Sequence, residues 1–241
     1  MKNSKQKKVY FSPTSKLGFP LVFGREGSEE LIKQMLNFII TDKTIETVKI
    51  LNPVHSISDK TSSTFDLYCE CNDDSRVIVE MQQAGKNYFM NRNLAYSSLA
   101  ILDQAKPRWM YDIQKIYFIG ILNYVHFKDW GEYRTEVKLM TNNEERKVVN
   151  ENYLQIYIEM PKIAEVTAES PLLHKFFTAM RKMSGWTERP AEYSDKELDM
   201  LFSAARYDAL SPEEQEEITQ NMSTEEDYRE YYESGVQEAR E

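Results

Sequence analysis

Two short β-type stretches separated by a turn place the strongest constraint on how this chain can fold. Residues 64–71 and 76–82 contain apolar and β-branched side chains, and the segment 72–75 between them reads Asn-Asp-Asp-Ser. Asn, Asp and Ser favour tight turns because their side chains bond to the nearby backbone. The pattern therefore predicts a β-hairpin whose two strands lie side by side.

This hairpin carries one acid on each predicted strand. Asp66 lies on the first strand, and Glu80 follows the apolar run 77–79 on the second. Two carboxylates that converge from neighbouring strands can bind a hard cation such as Mg²⁺, and the carbonyl oxygen of Met81 can add a third ligand. Such a cation supports phosphodiester hydrolysis. Side chains alternate along a strand, so Gln82 shares the face of Glu80, where its neutral amide can orient water or a phosphate oxygen.

The acid pair also has ordinary explanations. An Asp and a Glu on neighbouring strands are most often exposed strand residues, and a buried acid can be offset by a salt bridge or a turn. The segment after the hairpin supplies cations: Lys86, Arg92, Lys106 and Arg108. Arg92 and Tyr96 are four residues apart on a predicted helix and share a face. That face, together with Lys86, can bind phosphate; alternatively Arg92 is exposed to solvent and Tyr96 packs in the core.

The negative charge of the chain is concentrated at its C-terminal end. The whole chain carries −9, but residues 187–241 hold 17 acidic and five basic residues, a net charge of −12, which leaves +3 for residues 1–186. The part that contains the acid pair is therefore mildly basic, which permits a polyanionic partner such as DNA.

Composition excludes several other classes of protein. No apolar run approaches the roughly 20 residues needed to span a bilayer, and the basic N-terminus lacks the apolar region of a signal peptide. Cys69 and Cys71 are two apart on a predicted strand, too far apart to bond readily. We therefore expect a cytoplasmic protein with reduced thiols and no membrane partner.

Hydrophobic periodicity predicts helices and strands in an order unlike that of a nucleotide-binding fold. The predicted helices are 28–40, 88–104, 170–184, 194–209 and 211–232, the first with Ser28 as its N-cap. The predicted strands are 44–51, 64–71, 76–82, 113–125, 133–141 and 153–159. There is no Gly-rich phosphate loop.

Several of these segments together resemble the PD-(D/E)XK nuclease family transposases, the recombination-promoting nuclease group. The matching segments are Phe23 and Gly24 followed by the helical run 29–40, Phe65-Asp66-Leu67, Ile78-Val79-Glu80-Met81-Gln82-Gln83, and the Tyr88, Arg92 and Tyr96 spacing. The resemblance covers about residues 17–160, with a weaker echo at Ser211-Pro212-Glu213-Glu214. It departs from the family at Ser97, where a Trp is usual, and before the apolar strand at 105–111.

The resemblance implies an α/β fold with a restriction-endonuclease-like core, in which a mixed sheet of about four strands is flanked by helices. It implies cleavage of DNA that depends on Mg²⁺ or Mn²⁺, with Asp66 and Glu80 as metal ligands. Gln82 would stand where the catalytic Lys usually lies. One acid of the first helix, Glu29 or Glu30, would complete the metal shell.

We accordingly predict three segments: a basic flexible arm at 1–16, a nuclease-like domain at 17–162 and an acidic helical extension at 163–241. The predicted function is DNA endonuclease activity linked to recombination or mobile elements. The alternative is a catalytically inactive nuclease-fold protein that binds DNA or another protein. A homodimer is possible, and residues 194–232 offer a candidate seam for it: Met200, Leu201, Ala204 and Ala205.

Overall fold

The computed structural model describes residues 8–51, 54–58, 61–85, 88–105 and 110–220. The strands are β1 (Val48–Leu51), β2 (Val54–Ser58), β3 (Thr61–Thr64), β4 (Leu67–Cys71), β5 (Arg76–Gln82), β6 (Ile116–Leu122), β7 (Arg134–Met140) and β8 (Val148–Glu159). The helices are α1 (Gly18–Phe23), α2 (Glu29–Ile39), α3 (Phe89–Leu102), α4 (Leu172–Lys182) and α5 (Asp199–Ala204). Residues 212–220 are also helical, and short 3-10 turns lie between α4 and residue 210.

Six of the strands form one mixed sheet in the order β1-β4-β5-β6-β8-β7. The predicted hairpin is confirmed: β4 and β5 are antiparallel, with Leu67 opposite Val79. From β5 the sheet continues with parallel pairing to β6 and then to β8, while β7 is antiparallel to β8. The strands β2 and β3, which lie between β1 and β4 in the chain, pair antiparallel in a separate two-stranded sheet. The sheet is therefore larger than the four strands expected, but mixed as expected.

The two faces of the sheet pack against different helices, because side chains alternate along each strand. Val77, Val79 and Met81 of β5 face a large core that includes α1, α2, α4 and α5. Ile78 faces a smaller core formed with α3, whose members include Phe89 and Ala100. Glu80 and Gln82 belong to the Ile78 face by the same alternation, so both lie on the α3 side of the sheet.

The first long helix begins and ends close to its predicted bounds, but its N-terminus is stabilised differently from the prediction. Leu31, Ile32, Met35 and Leu36 are buried, as the 3.6-residue period requires. The hydroxyl of Ser28 does not cap the helix; it donates to the carbonyl oxygens of Phe23 at 2.9 Å and Arg25 at 2.6 Å. Ser28 therefore holds the turn between α1 and α2.

The prediction of a flexible arm over 1–16 is wrong for residues 9–15. Phe11 is buried, and its backbone N–H donates to the carbonyl oxygen of Ala205 at 3.0 Å. Tyr10 forms a β-bridge with Arg206 and an edge-to-face contact with Phe202. Burial of apolar side chains against a distant segment outweighs the local basic composition. Residues 1–7 lie outside the described residues.

The C-terminal helices share the large core with the sheet, so the predicted boundary at 162/163 does not separate two cores. Phe176, Phe177 and Met180 of α4 are buried there. Leu201 and Ala205 of the candidate dimer seam are fully buried in the same core, so they are not available to a second copy. The strongly apolar positions of this region therefore stabilise its own chain.

Two further expectations concern the cysteines and the membrane. Cys69 and Cys71 are free thiols, and both are buried, which was not predicted from the sequence. Burial raises the pKa of both thiols, which makes them poor nucleophiles. Within the described part of the chain, no helix is both long and apolar enough to cross a bilayer.

Candidate active site

Asp66 and Glu80 meet at the open end of the β4–β5 hairpin. Asp66 lies in a bend just before β4 rather than in the strand itself, and Glu80 lies in β5. The backbone N–H of Met81 donates to Oδ2 of Asp66 at 2.8 Å, and the backbone N–H of Asp66 donates to Oε1 of Glu80 at 3.3 Å. These two bonds replace the strand ladder beyond Leu67 and hold both carboxyl groups at the same point of the sheet.

Burial raises the pKa of both carboxyl groups, and the charge of Asp66 raises that of Glu80 further. Glu80 is only 2% exposed. Burial, together with the charge of Asp66, raises the pKa of Glu80 to about 8, although Arg92 acts to lower it. Burial also raises the pKa of Asp66, against the hydrogen bond from Met81 and the charge of Arg92. A pair of acids with raised pKa values in one recess is typical of a functional site.

Arg92 of α3 supplies the positive charge that this recess contains. Its Nη2 donates to Oε2 of Glu80 at 3.1 Å. The guanidinium lies 5.5 Å from the ring centre of Tyr96 and 5.9 Å from that of Phe89, so aromatic faces support it. Its Nε has no hydrogen-bond partner among the described residues. That nitrogen is buried, but the Arg92 side chain as a whole is about a quarter exposed, so the outer part of its guanidinium can meet an incoming acceptor such as a phosphate oxygen.

Tyr96 packs against other side chains of the site, which is close to the alternative that Tyr96 is a core residue. Its ring meets Phe65 edge to face, with the centroids 5.1 Å apart, and it is partly buried. It therefore holds Arg92 from one side and the residue preceding Asp66 from the other. Lys86, the remaining cation of the predicted phosphate site, lies outside the described residues.

Gln82 lies at the end of β5 on the face of Glu80, and it is partly exposed. Its carbonyl oxygen accepts from the backbone N–H of Asn123 at 2.8 Å, which directs the Gln82 peptide groups toward β6. Neighbouring strand residues point their peptide groups to opposite sides, so the Met81 carbonyl points toward the β4 side, as its N–H does. That carbonyl therefore faces the end of β4 where Asp66 lies.

The first helix does not bring a third acid to this pair. Glu30 is exposed and pairs with Lys33 at 2.5 Å. Glu29 acts electrostatically on Cys69, whose side chain packs in the large core on the opposite face of the sheet from Glu80. Over the described ranges, no three His, Cys, Asp or Glu side chains are grouped so that they could hold a metal ion.

Sequence reasoning missed a second element at this edge of the sheet, the loop 123–133 that follows β6. Asn123 donates from Nδ2 to Oε1 of Gln83 at 2.8 Å, and it accepts from Nε of Arg181 at 3.0 Å. The predicted strands 113–125 and 133–141 extend into the two ends of this loop, whereas β6 ends at Leu122 and β7 begins at Arg134; residues 126–132 have neither helical nor strand periodicity. The concentration of aromatic residues in the loop, with Phe127 and Trp130 among them, was the signal available.

The fold and the recess define a class of protein. A mixed sheet flanked by helices, with two carboxylates at the end of a central hairpin, is a restriction-endonuclease-like α/β arrangement. A family model described as PD-(D/E)XK nuclease family transposase matches residues 13–235. The chain belongs to this family, which supports a nuclease-like function. Comparison with curated proteins and with solved structures found no significant match.

Proposed function

We propose that the protein is a DNA endonuclease that hydrolyses phosphodiester bonds with Mg²⁺ or Mn²⁺ and acts in recombination or on mobile elements. The observation that carries the proposal is the contact of Asp66 and Glu80 at the end of the β4–β5 hairpin in a nuclease-family fold. Family membership supports the nuclease; the acid pair supports the dependence on a metal.

The residues present fit a hard divalent cation. Asp66, Glu80 and the Met81 carbonyl are oxygen donors, which Mg²⁺ and Mn²⁺ prefer. Burial, and after it the charge of Asp66, keep the pKa of Glu80 raised to about 8 although Arg92 acts to lower it, so a bound cation would favour the ionised carboxylate. When bound, the cation would supply Lewis-acid stabilisation of the phosphate and a more acidic water.

Around that centre, the remaining side chains have distinct tasks in the proposal. Arg92 and Lys86 bind the phosphate backbone of DNA, and Tyr96 supports the Arg92 guanidinium. Gln82 orients the attacking water or a phosphate oxygen from the Glu80 face. Burial around Glu80 excludes bulk water, so these interactions act in a medium of low polarity.

The test is a plasmid-nicking assay in Mg²⁺ with Asp66→Asn and Asp66→Ala. Asp66→Asn keeps an oxygen that can accept from the Met81 N–H but removes the charge, so we expect cleavage to be lost with little change in thermal melting. The matched control is Glu70→Gln, which removes a different acid of β4, one that pairs with Arg76. This variant should still cleave DNA. Undiminished cleavage by both Asp66 variants would contradict the metal-ligand assignment.

One observation favours the inactive alternative. Gln82 brings no positive charge, and the only cation seen to contact Glu80 in the described structure is Arg92. A protein that only binds DNA would show salt-dependent binding and no metal-dependent cleavage. Gln82→Ala separates the two functions: a nuclease should lose about tenfold or more of its rate, whereas a binding module should change little in affinity.

A further inference from the structure

The loop 123–133 lies at the same edge of the sheet as the acid pair. Glu80 is in register with Gly120 across the parallel strands β5 and β6, so both strands run toward this edge. The bond between Asn123 and Gln83 ties the beginning of the loop to the residue that follows β5. The loop therefore forms a neighbouring wall of the proposed cleavage site.

Four successive ring contacts connect the proposed phosphate-binding arginine with this loop. The guanidinium of Arg92 lies 5.9 Å from the ring centre of Phe89, and Phe89 meets His126 with centroids 5.8 Å apart. His126 meets Phe127 at 4.7 Å, and Phe127 stacks on Trp130 at 4.6 Å with an interplanar angle of 16°. Trp130 therefore lies at the far end of a continuous row of packed side chains that begins at Arg92.

A buried ion pair holds the backbone of the loop in place. Glu159, which is fully buried, accepts the backbone N–H groups of His126 at 2.6 Å and Phe127 at 3.0 Å. Lys162 pairs with Glu159 at 2.7 Å and donates to the carbonyl oxygen of Trp130 at 2.6 Å. Burying two charges is costly unless further hydrogen bonds satisfy them. Here those hydrogen bonds go to the loop, which is therefore preorganised.

This rigid loop presents a large ring to solvent. Trp130 is 49% exposed although it is stacked on Phe127. Bases of single-stranded nucleic acid stack on such aromatic side chains, and nearby cations follow the backbone. Arg181, exposed and bonded to Asn123, adds a cation at this edge besides Arg92. Within the loop, Lys128 is accompanied by two acids, Asp129 and Glu132, so the loop itself carries a net charge of −1 with His126 neutral, and the cations of this edge come from Arg92 and Arg181.

We propose that Trp130 is a stacking platform for an unpaired nucleobase, so the substrate is DNA with unpaired bases beside the scissile phosphate. The substrate class rests on the proposed nuclease function; the stacking itself is measured without cleavage. In a paired duplex the bases stack on one another and are not accessible to a protein ring. A platform of this kind therefore selects single-stranded or locally opened DNA.

The experiment measures binding in EDTA, where no cleavage occurs, by anisotropy of labelled DNA. The probes are a short single strand, the duplex of the same sequence and a duplex with a central unpaired stretch. Trp130→Ala should weaken binding of the two probes with unpaired bases by about tenfold or more, and binding of the duplex by less than about twofold. Trp130→Phe keeps an aromatic face and should restore most of the affinity.

Two controls separate stacking from a loss of structure. Leu139→Ala removes an exposed apolar side chain of β7 and should leave binding of every probe unchanged. The single strand should also quench the tryptophan emission of the wild type, and this quenching should fall in Trp130→Phe even though that variant binds. A purely structural role for Trp130 predicts no such spectroscopic difference.

The outcomes are distinguishable from those of the nicking assay. Equal losses for the duplex and the single strand, or none, would overturn the stacking proposal while the nuclease assignment stands. If Trp130→Ala changes only self-association in sedimentation, the loop is a contact between copies and the proposal is likewise overturned. If binding depends on Trp130 but no DNA is cleaved, the stacking proposal is supported and only the proposed nuclease function is contradicted.

Discussion

Arg92 on α3 donates to Glu80 on β5 at 3.1 Å, and this contact joins the helix to the most buried acid of the candidate site. Glu80 is nearly inaccessible to solvent, whereas the Arg92 side chain is about a quarter exposed. Arg92 therefore reaches from the buried carboxylate to the surface. Because Arg92 contacts a buried carboxylate and is also accessible to solvent, it can offset the charge of the acids and bind a phosphate group.

The first prediction concerns Arg92. Arg92→Ala should weaken metal-free DNA binding and reduce nicking by about tenfold or more, because the site loses its charge-assisted donor. Arg92→Lys should recover part of the binding but less of the cleavage, since Lys lacks the planar fork. Arg206→Ala, which removes a surface arginine paired with Asp208, is the matched control. Equal behaviour of the Arg92 and Arg206 variants would contradict a role for Arg92.

The second prediction uses the raised pKa of Glu80. Its pKa is about 8 in the folded protein and about 4.5 when unfolded, so the folded state holds the extra proton between these values. Stability therefore falls as pH rises through this window. Glu80→Gln removes the titrating group, and without metal it should gain stability relative to wild type from pH 5 to 9, approximately. Urea unfolding at several pH values measures this difference.

A second acid provides a control of opposite sign. The pKa of Glu136 lies below its usual range, because the hydrogen bonds from Arg134 and Lys138 outweigh the effect of burial, which acts to raise this pKa. Glu136→Gln should therefore be less stable than wild type above the unfolded pKa, and this deficit should shrink as the pH falls through the folded pKa. Parallel pH curves for wild type and Glu80→Gln would show that Glu80 is not perturbed.

The third prediction concerns Gly120, which lies opposite Glu80 in β6. A Cβ atom at this position would come within 2.8 Å of the Tyr157 ring. That ring cannot move freely, because its hydroxyl accepts from Asn93 at 3.1 Å and donates to Gln155 at 2.7 Å. Gly120→Ala should therefore destabilise the protein by about 1–3 kcal/mol. Gly185→Ala, where a Cβ meets nothing within 4 Å, should be close to neutral in the same melting experiment.

The fourth prediction concerns the acidic C-terminal region. Deletion of 187–241 removes Tyr193, Leu198, Leu201 and Phe202, all buried in the large core. Each contributes on the order of 2 kcal/mol, so the loss of all four, about 8 kcal/mol, is comparable to the whole stability of an ordinary domain, about 5–15 kcal/mol. We expect this truncation to be insoluble or unfolded, as circular dichroism would show. A native melting transition in that protein would contradict the core assignment.

A shorter deletion tests whether acidity shields the site. Residues 221–241 hold seven acids and two arginines, so removing them changes the net charge from −9 to −4. We expect the 221–241 deletion to keep the melting transition. Shielding predicts tighter DNA binding by this variant with a steeper salt dependence. Unchanged affinity would remove shielding from the possible roles of the tail.

Local patterns in the sequence were enough to predict the elements that carry the acid pair. The turn at 72–75 and its apolar flanks specified the hairpin, and a hairpin necessarily places Asp66 near Glu80. The 3.6-residue period likewise predicted α2 and α3 to within about two residues. These features depend on interactions between residues close in the chain.

Contacts between distant segments decided the rest. Phe11 lies in the core because its backbone pairs with Ala205 and the neighbouring Tyr10 packs on Phe202, although the segment 2–8 that precedes it is rich in lysine. The loop 123–133 owes its conformation to Glu159 and Lys162, more than 25 residues away in the chain. The sequence alone determined that two acids meet on a hairpin. Only the tertiary structure decided that Arg92 contacts Glu80 and that the ring of Trp130 faces solvent. Both depend on how helices and loops pack against the sheet.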